Sequence, residues 1–207
     1  MSLRIVLATR NRGKIREIRE ILAGLDVELL DSSEFPPFAE PAEDGETFLA
    51  NALAKAKAVH RATGLPALAD DSGLEVDALG GAPGVRSARY GGQGLTDEDR
   101  YSKLLDELAG VRDEDRGARF HCAAVLYPAP GAARKGIAAE GFLYGRIAQR
   151  PRGVNGFGYD PVFLVPERGV TLAEMDPGEK NATSHRYRAF IELKHMLVRD
   201  CGIAAKT

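Results

Sequence analysis

The run Ile5-Val6-Leu7-Ala8 constrains the fold most, because four consecutive apolar residues leave a strand with no face for water. Such a strand belongs in a sheet covered on both sides. The reading predicts a strand over residues 4–9 and then a helix, since Ile15, Ile18, Ile21 and Leu22 recur at helical spacing and Gly24 is placed to close the segment. A second strand is expected over residues 27–30. Thr47 caps a predicted helix over 48–63 that Gly64 ends, and a third strand is expected over 65–69. Thr96 caps a helix that turns Tyr101, Leu104, Leu105 and Leu108 inward. Residues 119–127 and 136–147 read as an antiparallel hairpin, and residues 162–165 as one more strand. Ser184 caps a last helix, with Ala189, Phe190, Leu193, Met196 and Leu197 facing inward. The chain shows no internal repeat or linker, and 207 residues at 44% hydrophobic content suit one domain over residues 1–207.

Charge narrows the possible partners. Lys plus Arg total 28 against 30 for Asp plus Glu, so no bulk positive field favours DNA, RNA or an acidic membrane surface. Any phosphate recognition has to be local. Cys122 and Cys201 lie in no ligand or redox spacing and are expected as buried small hydrophobes. No apolar run approaches the ~18 residues of a membrane span. The first nine residues lack the apolar core of a signal peptide, and the expectation is a cytoplasmic protein.

Four stretches carry chemistry-bearing groups. After the apolar residues 65–69 come Asp70, Asp71, Ser72 and Gly73, which places two carboxylates at an expected strand end. Two readings fit: a turn in which Asp caps backbone amides, or a site for a hard cation such as magnesium. Thr9, Arg10, Asn11, Arg12, Gly13 and Lys14 gather at a helix start, where free amides and the helix dipole favour an anion, although the spacing is not that of a Walker loop. An acidic connection with Glu40, Glu43, Asp44 and Glu46 precedes the helix carrying Asn51 and Lys55 one turn apart. It serves either as solvated surface or as a source of a further cation ligand. Residues 153–161 concentrate glycine around Phe157, Gly158, Tyr159 and Asp160, so the two aromatics either offer ring faces to a base or belong to the core. Lys180, Asn181, Ser184, His185 and Arg186 form a second cationic cluster at a helix start. His121 is read as structural, and His60 and His195 as surface residues without partners.

A nucleoside triphosphate with magnesium would use all of these features. Residues 9–14 after a first strand, residues 45–55 with Thr47, Phe48 and Asn51, residues 69–90, the segment 157–161 and residues 180–186 with Ser184-His185-Arg186 resemble the inosine triphosphate pyrophosphatase family, the Ham1-like group. The resemblance implies an α/β fold: an elongated mixed sheet flanked by helices, in two lobes about a central cleft. It implies hydrolysis of ITP, dITP and XTP to the monophosphate and pyrophosphate, with Mg2+ as cofactor, and a homodimer. It makes Asp71 the general base and a metal ligand, and Glu43 the second metal carboxylate with Glu40 or Asp70 in reserve, because Ala42 and Glu43 stand where many relatives carry two acidic residues. Thr9, Arg10, Asn11, Arg12, Gly13 and Lys14 would bind the triphosphate, and Ser72 would touch the substrate. Phe157, Gly158, Tyr159, Asp160, Lys180, His185 and Arg186 would bind the nucleotide, chiefly its base. Two further readings are a nucleotide sensor that binds without cleaving and, last, a phosphotransferase.

Overall fold

In the computed structural model, which describes residues 2–39, 41, 43–130 and 136–205, the first apolar run forms β1 (Leu3–Leu7). It is parallel to β2 (Val27–Asp31) and to β3 (Ala67–Val76). Seven strands follow the order β2-β1-β3-β4-β5-β6-β7, with β4 (Gly117–Tyr127), β5 (Ile137–Ile147), β6 (Phe163–Val165) and β7 (Val170–Thr171). The β5–β6 and β6–β7 pairs are antiparallel, so the sheet is mixed. The helices are α1 (Arg12–Leu22), α2 (Phe48–Thr63), α3 (Asp97–Glu107), α4 (Pro177–Thr183) and α5 (His185–Arg199). Among the described residues no helix is long and apolar enough to cross a membrane.

The chain packs as two compact units. One comprises Met1–Asp71, Cys122–Gly141 and Arg186–Thr207, and the other Ser72–His121 and Phe142–His185. In the first unit the period of two along a strand sends neighbours to opposite faces. Ile5, Leu7 and Leu68 pack with Ile18 and Leu22 of α1 and with Phe190 and Leu193 of α5. Val6, Ala67 and Ala69 pack with Ala52, Ala56 and Val59 of α2. The continuous apolar run is thus covered on both faces, as its sequence requires. Cys122 is buried as a small hydrophobe. In the second unit Leu104 and Leu108 of the α3 segment pack with Leu74, Phe120, Tyr159 and Phe163.

Local chemistry set the helix ends. The Thr47 hydroxyl accepts from the Ala50 amide, and Gly64 closes α2 in the left-handed region at φ 72. Thr96 and Asp99 make a reciprocal capping box on α3. Two expectations are corrected, for β3 and His60, and one helix, α4, was not anticipated. β3 does not stop at residue 69 but runs on through Asp70, Asp71, Ser72 and Gly73, because burial on both faces overrides the local turn tendency of that tetrapeptide. Residues 177–183 form α4, begun by Asp176 accepting from the Gly178 amide with a proline at the first helical position. His60 has partners: its Nδ1 lies 2.8 Å from the Leu65 carbonyl, which can only accept, and its ring meets the edge of Tyr127.

Candidate active site

The strand period that builds the first core also separates the two adjacent carboxylates. Asp70 shares a face of β3 with Leu68, toward α1 and α5, whereas Asp71 shares the other with Ala69, toward α2. Their surroundings differ accordingly.

Asp70 is 2% exposed. Its Oδ2 accepts from Lys14 Nζ at 2.9 Å and from Arg186 Nε at 3.3 Å, and Arg186 Nη1 donates to Glu17 at 2.6 Å. Burial alone would raise the Asp70 carboxyl, but the Lys14 and Arg186 charges outweigh it and hold the group well below the ordinary carboxylate range. This is a buried network of two cations and two anions tying α1, β3 and α5 of one unit together. Asp70 Oδ2 is thus committed to a clamp within this unit. Arg186 is buried with its Nε and Nη1 held by carboxylates, so in this structure those two nitrogens serve the clamp.

Asp71 looks onto α2. Its Oδ1 accepts from Lys55 Nζ at 2.7 Å and its Oδ2 from Asn51 Nδ2 at 3.1 Å. Glu43 reaches the same ammonium at 2.5 Å, so two carboxylates converge on one cationic point. Burial raises the Asp71 carboxyl above its ordinary value, against the pull of Lys55 and Asn51. Lys55 is raised as well: burial opposes its charge, and Asp71 and Glu43 more than restore it. Two hard oxygen donors aimed at one cation suit magnesium, which takes one or two protein carboxylates and completes its shell with water and phosphate. Among the described residues no group of three or more His, Cys, Asp or Glu could hold a metal ion. The reserve ligand Glu40 lies outside the described residues. Asn51 and Lys55 were missing from the predicted site. Their signal was present, as two polar residues one turn apart on a helix otherwise rich in alanine.

At the start of α1 the Asn11 side chain accepts from the Gly13 and Lys14 amides at 2.9 and 3.1 Å, and the Thr9 hydroxyl accepts from the Asn11 amide at 3.2 Å. The cap thus takes two amides that an anion would otherwise use. Anion attraction there rests more on the side chains of Arg10, Arg12 and Lys14 than on the backbone.

The second unit holds the glycine-rich group. Lys180 and Asp160 form a buried ion pair at 2.5 Å, and the Asp160 Oδ2 also accepts from the Phe157 amide at 2.8 Å. Gly156 is required here: at φ 81 a Cβ would collide with the Asp160 carboxylate. The two aromatics diverge. Tyr159, 5% exposed, packs in the core and donates its hydroxyl to the Ser87 carbonyl at 2.9 Å, so it offers no ring to a ligand. Phe157, 45% exposed, lies beneath the Lys180 ammonium, 4.7 Å from its ring centroid. The Gly158 amide donates to Asp97 at 2.7 Å. His185 stacks on Phe120 with ring centroids 4.8 Å apart and 11° between planes. Ser72 is half-buried on β3, and His121 stacks on Phe142 as a structural histidine would.

The fold and the site define an α/β protein with a mixed sheet and a strand-borne carboxylate pair, and comparison with known proteins makes the class specific. The chain belongs to the Ham1 family, which it matches over residues 5–196. It is 54% identical over 194 residues to the dITP/XTP pyrophosphatase of Geobacter sulfurreducens, covering 94% of this chain and 96% of that one. It is 53% identical over 187 residues to that of Thermus thermophilus, covering 90% and 88%. Its structure is similar to a HAM1 protein from Coxiella burnetii at TM-score 0.88 and 45% identity, covering 95% of this chain and 98% of that one. The Staphylococcus aureus Ham1 protein gives TM-score 0.86 at 38% identity, with 95% and 99% covered.

Proposed function

We propose that this chain is a nucleoside triphosphate pyrophosphatase that hydrolyses deaminated purine nucleotides, ITP, dITP and XTP, to the monophosphate and pyrophosphate. The observation that supports it most is the convergence of Asp71 and Glu43 on a single cationic point in a Ham1-family chain. Both units act as one functional domain, as a homodimer in the cytoplasm.

Asp71 takes the proton of a water whose oxygen bonds to the α-phosphorus while the bond from that phosphorus to the bridging oxygen breaks and pyrophosphate leaves. Asn51 orients the Asp71 carboxylate. Asp71 and Glu43 would hold magnesium, which when bound supplies charge neutralisation at the phosphate oxygens. Arg10, Arg12 and Lys14 hold the triphosphate, with Thr9, Asn11 and Gly13 shaping their turn, and Ser72 contacts the substrate. Phe157 offers a ring to the purine, Gly158 and Asp160 set its loop, and His185 and Lys180 are the donors for the 6-oxygen of hypoxanthine or xanthine. Adenine carries an amine at that position and would leave those donors facing another donor.

Pyrophosphate release from ITP, dITP, XTP, GTP and ATP, with magnesium and then with a chelator, tests the reading. Magnesium-dependent release from the first three and little from the last two is expected. Equal rates on all five would remove the selectivity, and stoichiometric binding without product would leave a sensor.

A further inference from the structure

The second unit contains an arginine-lined pocket that the proposed reaction does not use. It has a volume of about 300 Å³ and is lined by Asp113, Arg146, Ala148, Gln149, Arg150 and Arg152, among others. Its residues come from the end of β5, the segment that follows it, the turn before β4 and, with Leu164, β6.

The charges there are unbalanced in a specific way. Arg146 and Arg150 are exposed, and their guanidinium groups have no hydrogen-bond or ion-pair partner among the described residues. Of the other exposed arginines of this unit, Arg112 pairs with Glu114 and Asp115 and Arg168 with Glu179, while Arg86, on a different segment, stands alone among the described residues. The pocket's one carboxylate, Asp113, accepts from Gln149 Nε2 at 2.5 Å. Arg152 is anchored by Glu174 and by the Gly169 carbonyl, which fixes one guanidinium in the wall.

Behind the lining residues Ile147 and Ala148 lies a second, independent observation. Arg116 is 2% exposed, and its guanidinium is held by backbone carbonyls, donating to Ile147 at 2.9 Å, Leu108 at 3.0 Å and Ala148 at 3.2 Å. No carboxylate forms an ion pair with it among the described residues. A buried cation held by carbonyl dipoles, with the Asp113 carboxylate as its nearby opposing charge, leaves positive potential behind the wall. The same bonds turn the Ile147 and Ala148 carbonyls toward Arg116, so the wall presents guanidinium groups in place of carbonyl oxygens.

We propose that this pocket is a binding site for a compact phosphate anion of the inorganic pyrophosphate kind. Three guanidinium groups around a small volume match the several oxygens of a diphosphate, since each planar fork donates two parallel N–H bonds to one phosphoryl group. The volume lies at the low end for a small-molecule site, which favours the anion itself over a whole nucleotide. The inference does not depend on turnover.

Calorimetric titration with inorganic pyrophosphate at fixed ionic strength, in the presence of a chelator, tests it. The wild-type chain and the Arg12→Ala variant, which weakens the candidate triphosphate site at an exposed residue, should both bind one equivalent here. The Arg146→Ala/Arg150→Ala variant should lose this binding by about tenfold or more, as expected for removing charge-assisted bonds. An Arg61→Ala/Arg188→Ala control removes the same charge from exposed positions elsewhere and should bind like wild type. Titration with a nucleoside monophosphate and with inorganic triphosphate separates a free diphosphate from a nucleotide's phosphates. Loss of all binding in Arg12→Ala, equal weakening in the control, or the same number of equivalents bound by the Arg146→Ala/Arg150→Ala variant as by wild type would overturn the assignment. Unchanged affinity in the Arg146→Ala/Arg150→Ala variant would do the same.

Discussion

The two faces of β3 differ more than their sequence neighbours suggest. On the α1 and α5 side, Asp70 meets Lys14 and Arg186 while Glu17 supplies the second anion, so the network is balanced. On the α2 side, Asp71 and Glu43 share one ammonium, leaving an excess of one negative charge. A balanced buried network is a structural clamp, and a site with surplus carboxylate still calls for a cation. One residue of chain separates the two roles.

The sharpest break of this comparison is Asp71→Asn, expected to lower kcat for ITP by about 10²–10⁴-fold, the range for removing a general base. Its unfolding midpoint in denaturant should stay near wild type, and unchanged turnover would remove Asp71 as the base. Asp70→Asn should do the reverse in kind. Leaving Lys14 and Arg186 facing a neutral amide is expected to cost about 3 kcal/mol in equilibrium unfolding, the scale for breaking a buried pair. A loss of activity without any loss of stability would make the two faces equivalent.

Glu43→Gln sharpens the contrast more gently. Half-maximal activity should need about tenfold more magnesium, as when one carboxylate of a weak site is neutralised. Lys55→Met removes the ammonium that Asp71 and Glu43 share. Magnesium should then raise the Tm of the variant more than that of wild type, by a few degrees. Differential scanning fluorimetry with and without the ion reads this, and an equal shift in both would mean that the ion does not replace the ammonium's charge.

Local signals carried α2 almost completely, since Thr47, Gly64 and the helical spacing between them determine it without help from the rest of the chain. The covered β1 strand was equally legible. The continuation of β3 was not, because Asp-Asp-Ser-Gly reads as a turn until the packing on both faces is known. The α4 helix carried a signal in Asp176 and Pro177 that outweighed its shortness. At the site, residue types left the roles of the acidic residues open and the resemblance singled out Asp71 and Glu43, and Arg186 illustrates the limit. A buried guanidinium reads the same in sequence whether it meets a ligand or a carboxylate 116 positions away. Tyr159 and Phe157 make the same point, being two residues apart with opposite exposure.

Asn51 joins two parts of this arrangement. Its Nδ2 donates to Asp71 while its Oδ1 accepts the Gly45 amide at 2.9 Å. The peptide N–H of Gly45 is therefore one side chain removed from the carboxylate, and Gly45 lies two residues after Glu43. Because bonded amides polarise one another along a chain, the ¹⁵N–¹H resonance of Gly45 becomes a built-in gauge of the state of Asp71. It can be followed in a spectrum without turnover or an added probe.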